Sequence, residues 1–222
     1  MSVAAAAGVR TVRLSAEAVS HRYGARLALQ PVSLELSSPG AFAITGENGS
    51  GKSTLLRILM GLLRPSSGQT VLVHDRVALP PRSRRTLAGL ATPELSFYEE
   101  FSAAENLRFA AEARGLADPR GAVRDALEAV QLAPRADDRV DAFSSGMKQR
   151  LRLAFAVLHR PALLLLDEPG AHLDEAGRAV VETLVRSWSG HGLVLIATND
   201  PQEMRLAHRS IELRGRGLGG PA

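Results

Sequence analysis

No cysteine occurs in the 222 residues, which excludes disulfides, cysteine-ligated zinc and cysteine-held iron–sulfur clusters. Lysine is almost as scarce. Of 27 cationic side chains only Lys52 and Lys148 are lysine, and the remainder are arginine. A lysine kept at position 52 in such a chain marks a place that needs a compact ammonium rather than a planar fork. Long apolar runs are missing too: Ala162 to Leu166 stops at Asp167, well short of the ~18 to 20 apolar residues that a spanning helix needs. Any role at a membrane therefore requires a partner. The start, Met1 to Val9, is alanine-rich but lacks the longer apolar stretch and basic flank of a secretory signal, so it reads as a loose extension and the chain is expected in the cytoplasm. Neither sign of charge dominates. The 23 acidic residues interleave with the basic ones to leave a net charge of +4, with Arg82, Arg84 and Arg85 as a short cluster, so nucleic acid is not expected as a partner.

Against these absences stands a hydrophobic content of 45% whose patterning alternates between two periods. Short apolar segments at Val12 to Val19, Val32 to Leu36 and Ala41 to Thr45 read as strands, separated by the turn-formers Gly24, Pro31, Pro39 and Gly40. Lys52 to Leu63 has a helical rhythm, and Thr70 to Asp75 reads as a strand. Ser102 to about Leu132 turns helical and predicts a helical lobe. Met147 to Leu158 and Glu175 to Trp188 follow as helices, with buried strands at Leu163 to Leu166 and Leu193 to Thr198. Strand and helix alternate, which implies an α/β fold with a largely parallel sheet. A single domain is expected over residues 10–216, with the helical part at about 95–150 and loose ends at 1–9 and 217–222.

Three segments carry chemistry. Gly46-Glu47-Asn48-Gly49-Ser50-Gly51-Lys52-Ser53, followed by Thr54, has every fixed position of the phosphate-binding loop, and it lies between an apolar strand and a helix. Glycines at 46, 49 and 51 let the backbone curl so that amides point at phosphate oxygens, where the positive end of the helix adds to them. Lys52 can then reach the outer phosphates, and the Ser53 hydroxyl can take a magnesium site. Leu163 to Leu166 ends in Asp167 and Glu168, the former placed to hold the metal's shell and the latter a candidate base for an attacking water. Between them Phe143-Ser144-Ser145-Gly146-Met147-Lys148-Gln149-Arg150 opens a basic helix with small hydroxyl residues, and such a helix start is itself an anion site.

In this order and spacing the segments resemble the nucleotide-binding domain of the ATP-binding cassette (ABC) family over nearly the whole chain. The resemblance implies a phosphate-loop NTPase fold with an antiparallel β subdomain and a helical subdomain. ATP and Mg2+ are the implied cofactors, and the implied activity is an ATPase that powers transport through separate integral-membrane subunits. It also implies that the variant signature at Ser144, Ser145 and Gly146 contacts the γ-phosphate of ATP held by a second cassette, a homodimer forming on ATP binding. Tyr23 falls where the family stacks a ring on adenine. Pro169 to Asp174 looks like the loop that carries signals between the two sites. The chain would sit in the cytoplasm, at the inner face of the cell membrane through its partner, and its compact size resembles the subunits of bacterial exporters. Two positions depart from the pattern. Glu94 stands near the place of a magnesium-sensing glutamine and is a candidate metal ligand. Asn199 stands in place of a switch histidine: it can donate a hydrogen bond to the γ-phosphate but carries no proton or charge, so hydrolysis is expected to be slowed. The alternatives are a soluble ABC ATPase, such as an iron–sulfur assembly factor, or a nucleotide switch with little hydrolysis.

Overall fold

The computed structural model describes residues 11–213, so the loose ends expected at 1–9 and 217–222 lie outside the described residues. Strands β1 (Val12–Tyr23) and β2 (Arg26–Ser37) form a hairpin whose turn, Gly24 and Ala25, sets Tyr23 opposite Arg26. Sequence alone places β2 only over Val32 to Leu36. The strand runs on through Pro31 because β2 is the edge of its sheet, where a missing N–H breaks no ladder, and the pairing is irregular there, between Val19 and His21. After β3 (Gly40–Thr45) comes α1 (Lys52–Met60), which stops short of the expected Leu63 because Gly61, at φ 79°, closes it with a left-handed cap.

Next come β4 (Ser67–His74), β5 (Val77–Leu79), α2 (Pro81–Leu87) and β6 (Ala88–Ala91). The helical lobe holds α3 (Ala103–Ala113) and α4 (Pro119–Ala129), and α5 (Ser145–Val157) leads back to the sheet. The single rhythm from 102 to 132 is thus two helices. Ser102 and Glu105 start α3 with reciprocal bonds of 3.1 and 2.8 Å, Gly115 at φ 68° follows its end, and Asp118 caps α4 at 2.9 Å from the Gly121 amide. The described residues end with β7 (Leu163–Asp167), α6 (Glu175–Ser189), β8 (Leu193–Ala197), α7 (Pro201–Met204) and β9 (Arg209–Glu212).

Two sheets result, an antiparallel one in the order β2-β1-β4-β5 and a parallel one in the order β6-β7-β8-β3-β9. The parallel sheet is buried on both faces, which explains why β7 and β8 are apolar throughout rather than alternating. Side chains of a strand point alternately up and down. Leu164, Leu166, Val194 and Ile196 therefore pack with the helical lobe, α5 and α6, while Leu163, Leu165, Leu193 and Leu195 pack with α1 and the antiparallel sheet. This double burial fixes the carboxyl end of β7 rigidly beside the loop that follows β3.

Of the arginine cluster on α2, Arg82 and Arg85 are exposed and Arg84 is turned inward. Arg84 is buried and donates to the Thr70 hydroxyl and carbonyl, each at 2.7 Å, tying α2 to β4. Burial lowers its pKa.

Candidate active site

The loop after β3 wraps a cleft of about 330 Å³ lined by Tyr23, Arg26, Ala28, Asn48, Gly49, Gly51, Lys52, Ser53, Thr54 and Glu168. Its curvature depends on glycine. Gly51 has φ 101°, and a Cβ there would lie 2.6 Å from the Ala28 carbonyl oxygen, so the loop can press against β2 only without a side chain. Gly51 is also the N-cap of α1, with no side chain capping the helix and no acidic residue in its first turn. The first amides of α1 and its positive end therefore face the cleft uncompensated, as an anion site requires.

Lys52 is buried, and its ammonium donates to the carbonyls of Gly46 and Glu47 at 2.8 and 3.4 Å. It is parked across the loop whose amides face the cleft. Gly46, Glu47 and Ser50 shape the loop from behind without lining the cleft, and Ser50 N–H closes a turn on the Glu47 carbonyl at 3.0 Å.

Asp167 and Glu168 leave the end of β7 in different directions. Asp167 is buried, and its Oδ1 has no hydrogen-bond partner among the described residues. Burial raises its pKa, the neighbouring Ser53 hydroxyl opposes this, and the charges of Glu168 and Glu94 add to the rise. A buried carboxylate with an orphaned oxygen beside a serine hydroxyl is a donor set suited to a hard cation, so magnesium fits here. Glu168 is exposed and lines the cleft.

Glu94, expected as a further oxygen ligand, is engaged elsewhere: one carboxylate oxygen pairs with Arg57 and the other accepts from the Thr92 hydroxyl. Partial burial works against its ionisation, but these two partners outweigh it and hold its carboxyl below the ordinary value. Arg57 also interacts with the Tyr23 phenol, and the Tyr23 ring meets His21 edge-on at 4.6 Å. Tyr23 and Arg26, opposed across the hairpin, both line the cleft. Arg26 carried no signal in the sequence.

Asn199 is brought to the loop across 151 residues, its amide donating to the Asn48 side chain at 3.1 Å. Ser144 caps α5, accepting from the Met147 amide at 3.2 Å, and with Ser145 it is exposed. Neither of them nor Gly146 lines the cleft. Asp174 caps α6 at 2.8 Å from the Gly177 amide.

Sequence reading missed the side chains that hold the segment after β7. Glu203 on α7 accepts from the Gly170 amide at 2.6 Å, and Gln149 on α5 donates to the carbonyls of Glu168 and Pro169. Burial raises the Glu203 pKa. Gln149 stands within the quoted helix start, but nothing in its neighbours tells which strand its amide meets.

The model of the ABC transporter family matches residues 29–171. The uncharacterized ABC transporter ATP-binding protein YxlF of Bacillus subtilis is 37% identical over 188 residues, which is 84% of this chain and 62% of that protein. The chain thus spans less than two thirds of the length of that relative. The aliphatic sulfonates import ATP-binding protein SsuB of Pectobacterium atrosepticum is 37% identical over 89% of this chain and 73% of its own length. Among solved structures, the dimeric post-hydrolysis state of the ATP-binding cassette MJ0796 bound to ADP and Pi superposes with a TM-score of 0.80 at 22% identity, covering 90% of this chain and 94% of that one. At that identity it speaks for the fold.

Proposed function

The chain belongs to the ABC transporter family, and we propose from that premise that it binds and hydrolyses ATP to drive transport through separate membrane-spanning subunits. One observation carries this reading. The uncapped start of α1, Lys52, Ser53 and the exposed Glu168 carboxylate line one cleft, and Asp167, with an orphaned oxygen, lies buried beside Ser53.

The phosphates of ATP take the amides of the loop and of the first turn of α1, and Lys52 transfers its bonds from the loop carbonyls to the outer phosphates. Ser53 and Asp167 would hold magnesium, which supplies positive charge to the phosphate oxygens when bound. Glu94, held by Arg57 and Thr92, would join them through a lone pair those partners leave open. Glu168 accepts a proton from the attacking water, and Asn199 donates a hydrogen bond toward the γ-phosphate without supplying charge. Tyr23 offers its ring to the adenine.

Because Ser144 to Gly146 lie outside this cleft, they are free to serve a second copy: their exposed helix start meets the γ-phosphate held by the facing chain, so two chains close over two nucleotides. Among the described residues no helix is long and apolar enough to cross a membrane. The membrane-spanning partner would dock near the loop after β6, where Tyr98 and Phe101 are exposed with ring centroids 5.8 Å apart and Phe109 lies 6.3 Å from Tyr98. In this reading the chain works in the cytoplasm, at the inner face of the membrane through that partner.

The test is steady-state phosphate release by the purified chain with magnesium and ATP, beside Lys52→Ala and Glu168→Gln. Turnover that rises cooperatively with ATP, and is lost in both variants, is the expected result. Nucleotide binding without phosphate release by the wild type, with or without candidate membrane subunits, would refute the hydrolytic role.

A further inference from the structure

Glu168 holds its carboxylate out from a left-handed backbone, φ 48°, which a residue with a side chain keeps only when its surroundings over-determine it. Three contacts do so. Its amide donates to the Ala197 carbonyl at 2.9 Å, and its carbonyl accepts from the Ala171 amide at 3.1 Å. The third contact comes from α5. Gln149, 2% exposed, donates through Nε2 to the Glu168 carbonyl at 3.3 Å and to the Pro169 carbonyl at 3.1 Å.

A glutamine amide has two ends of equal size, and only the NH2 end can serve two carbonyls. The choice is fixed by Arg152, one turn further along α5. Its Nη1 donates to Gln149 Oε1 at 3.1 Å, which holds the oxygen away from β7, while its Nε donates to the Leu95 carbonyl at 2.9 Å. The bonds form a continuous strut from the Leu95 carbonyl, in the loop after β6, through Arg152 and Gln149, to the carbonyls of Glu168 and Pro169. Arg152 can join two acceptors because its donors are set in a rigid plane, which lysine lacks.

We propose that Gln149 and Arg152 act in series as positioning residues that hold the backbone of Glu168, and that they tie its placement to the loop after β6. The inference rests on Glu168 as the general base. It means that displacement of the loop at Leu95 reaches the base through its peptide group, with α5 as the lever. The same helix carries Ser144 to Gly146 at its start, so closure against a second copy would load the same strut.

The experiment compares Arg152→Leu, Arg152→Lys, Gln149→Leu and the Arg152→Leu/Gln149→Leu double variant in the full chain. It measures kcat and KM for ATP, and hydrogen exchange at the Glu168 and Ala171 amides of the nucleotide-free protein. Arg152→Leu removes both of the arginine's bonds, and loss of the one that reaches Gln149 should lower kcat about five-fold, with KM for ATP within about two-fold of wild type. Gln149→Leu should lose at least as much, and the double variant should be no slower than Gln149→Leu alone, as links in series require. Arg152→Lys should recover part of the loss. Exchange at the two amides should quicken in both leucine variants while the amides of β7 and β8 keep their protection. Unchanged exchange at Glu168 and Ala171 overturns the proposal whatever happens to turnover. So do losses in kcat that multiply in the double variant, or a rise in KM at constant kcat. If the wild-type chain releases no phosphate, the hydrolytic reading fails separately and the exchange result alone decides whether the strut exists.

Discussion

Acid should destabilise this chain through His159, two residues beyond the last residue of α5. Burial lowers the pKa of its imidazole to about 4, the Arg114 charge adds to the fall, and a bond of 3.2 Å to the Ala88 carbonyl opposes it. The unfolded chain takes up a proton near the ordinary value of 6.5, which the folded chain refuses until pH approaches 4, so stability falls as pH falls across that window. Between pH 7 and pH 5 the loss amounts to about 2 kcal/mol, or roughly 4–8 °C in Tm for a domain of this size. Asp167 and Glu203 act with the opposite sign. Their folded pKa values are raised, so their contribution is full at low pH and fades as pH rises through the folded values. A wild-type acid curve therefore mixes both, and the His159→Phe variant separates them. Thermal unfolding of both proteins followed by circular dichroism at pH 7.5, 6 and 5 is the assay. The variant loses the Ala88 bond, a constant offset, but should lose less Tm on acidification than the wild type. A Tm difference between the two that is the same at pH 7.5 and pH 5 would refute the reasoning.

Three further outcomes are expected. Asn199→His should raise steady-state phosphate release by roughly ten-fold, because an imidazole brings a proton and a charge to the γ-phosphate that an amide cannot; unchanged turnover would count against the slowed-hydrolysis reading. Gly51→Ala places a Cβ 2.6 Å from the Ala28 oxygen and 2.9 Å from Leu29 Cδ1, with φ at 101°. It should cost on the order of 1–3 kcal/mol in a denaturant titration and weaken nucleotide binding by more than ten-fold in a fluorescent-nucleotide assay. Leu164→Ala, fully buried on the face of β7 that packs with the helical lobe, should cost about 2–5 kcal/mol with KM for ATP unaltered, and a shift in denaturant midpoint would measure it.

The short polar turn between apolar strand and helix at Gly46 to Thr54, the leucine run ending in Asp167 and Glu168, and the hydroxyl cap at Ser144 were legible in the sequence because each is a local pattern. A loop that curls needs glycine at set intervals, a strand buried on both faces needs unbroken apolar residues, and a helix start needs a capping oxygen. Local patterns also named the helices α1, α5 and α6, whose rhythm is set by one buried face. The same logic failed where strands were short. Ala88–Ala91 and Arg209–Glu212 are four residues each, too few to show a period, and they are strands only because β7 and β3 lie beside them. Pro31 read as a break because the sequence does not say which strand lies at an edge.

What the sequence by itself determined was therefore the order of the chemistry along the chain: a phosphate loop, a helical lobe, a capped basic helix and two carboxylates at a strand end. Only the tertiary structure decided which of these meet. Asn199 reaches Asn48 because β8 and β3 are neighbours in the parallel sheet. Arg152 reaches Leu95 across 57 positions, and Glu203 reaches Gly170 across 33. Arg84, one of three arginines indistinguishable by composition, is the one buried against Thr70. Such pairings depend on strand order and helix placement, which arise from burying two faces of one sheet at once, and a polar side chain's partner across that distance leaves no trace in its neighbours.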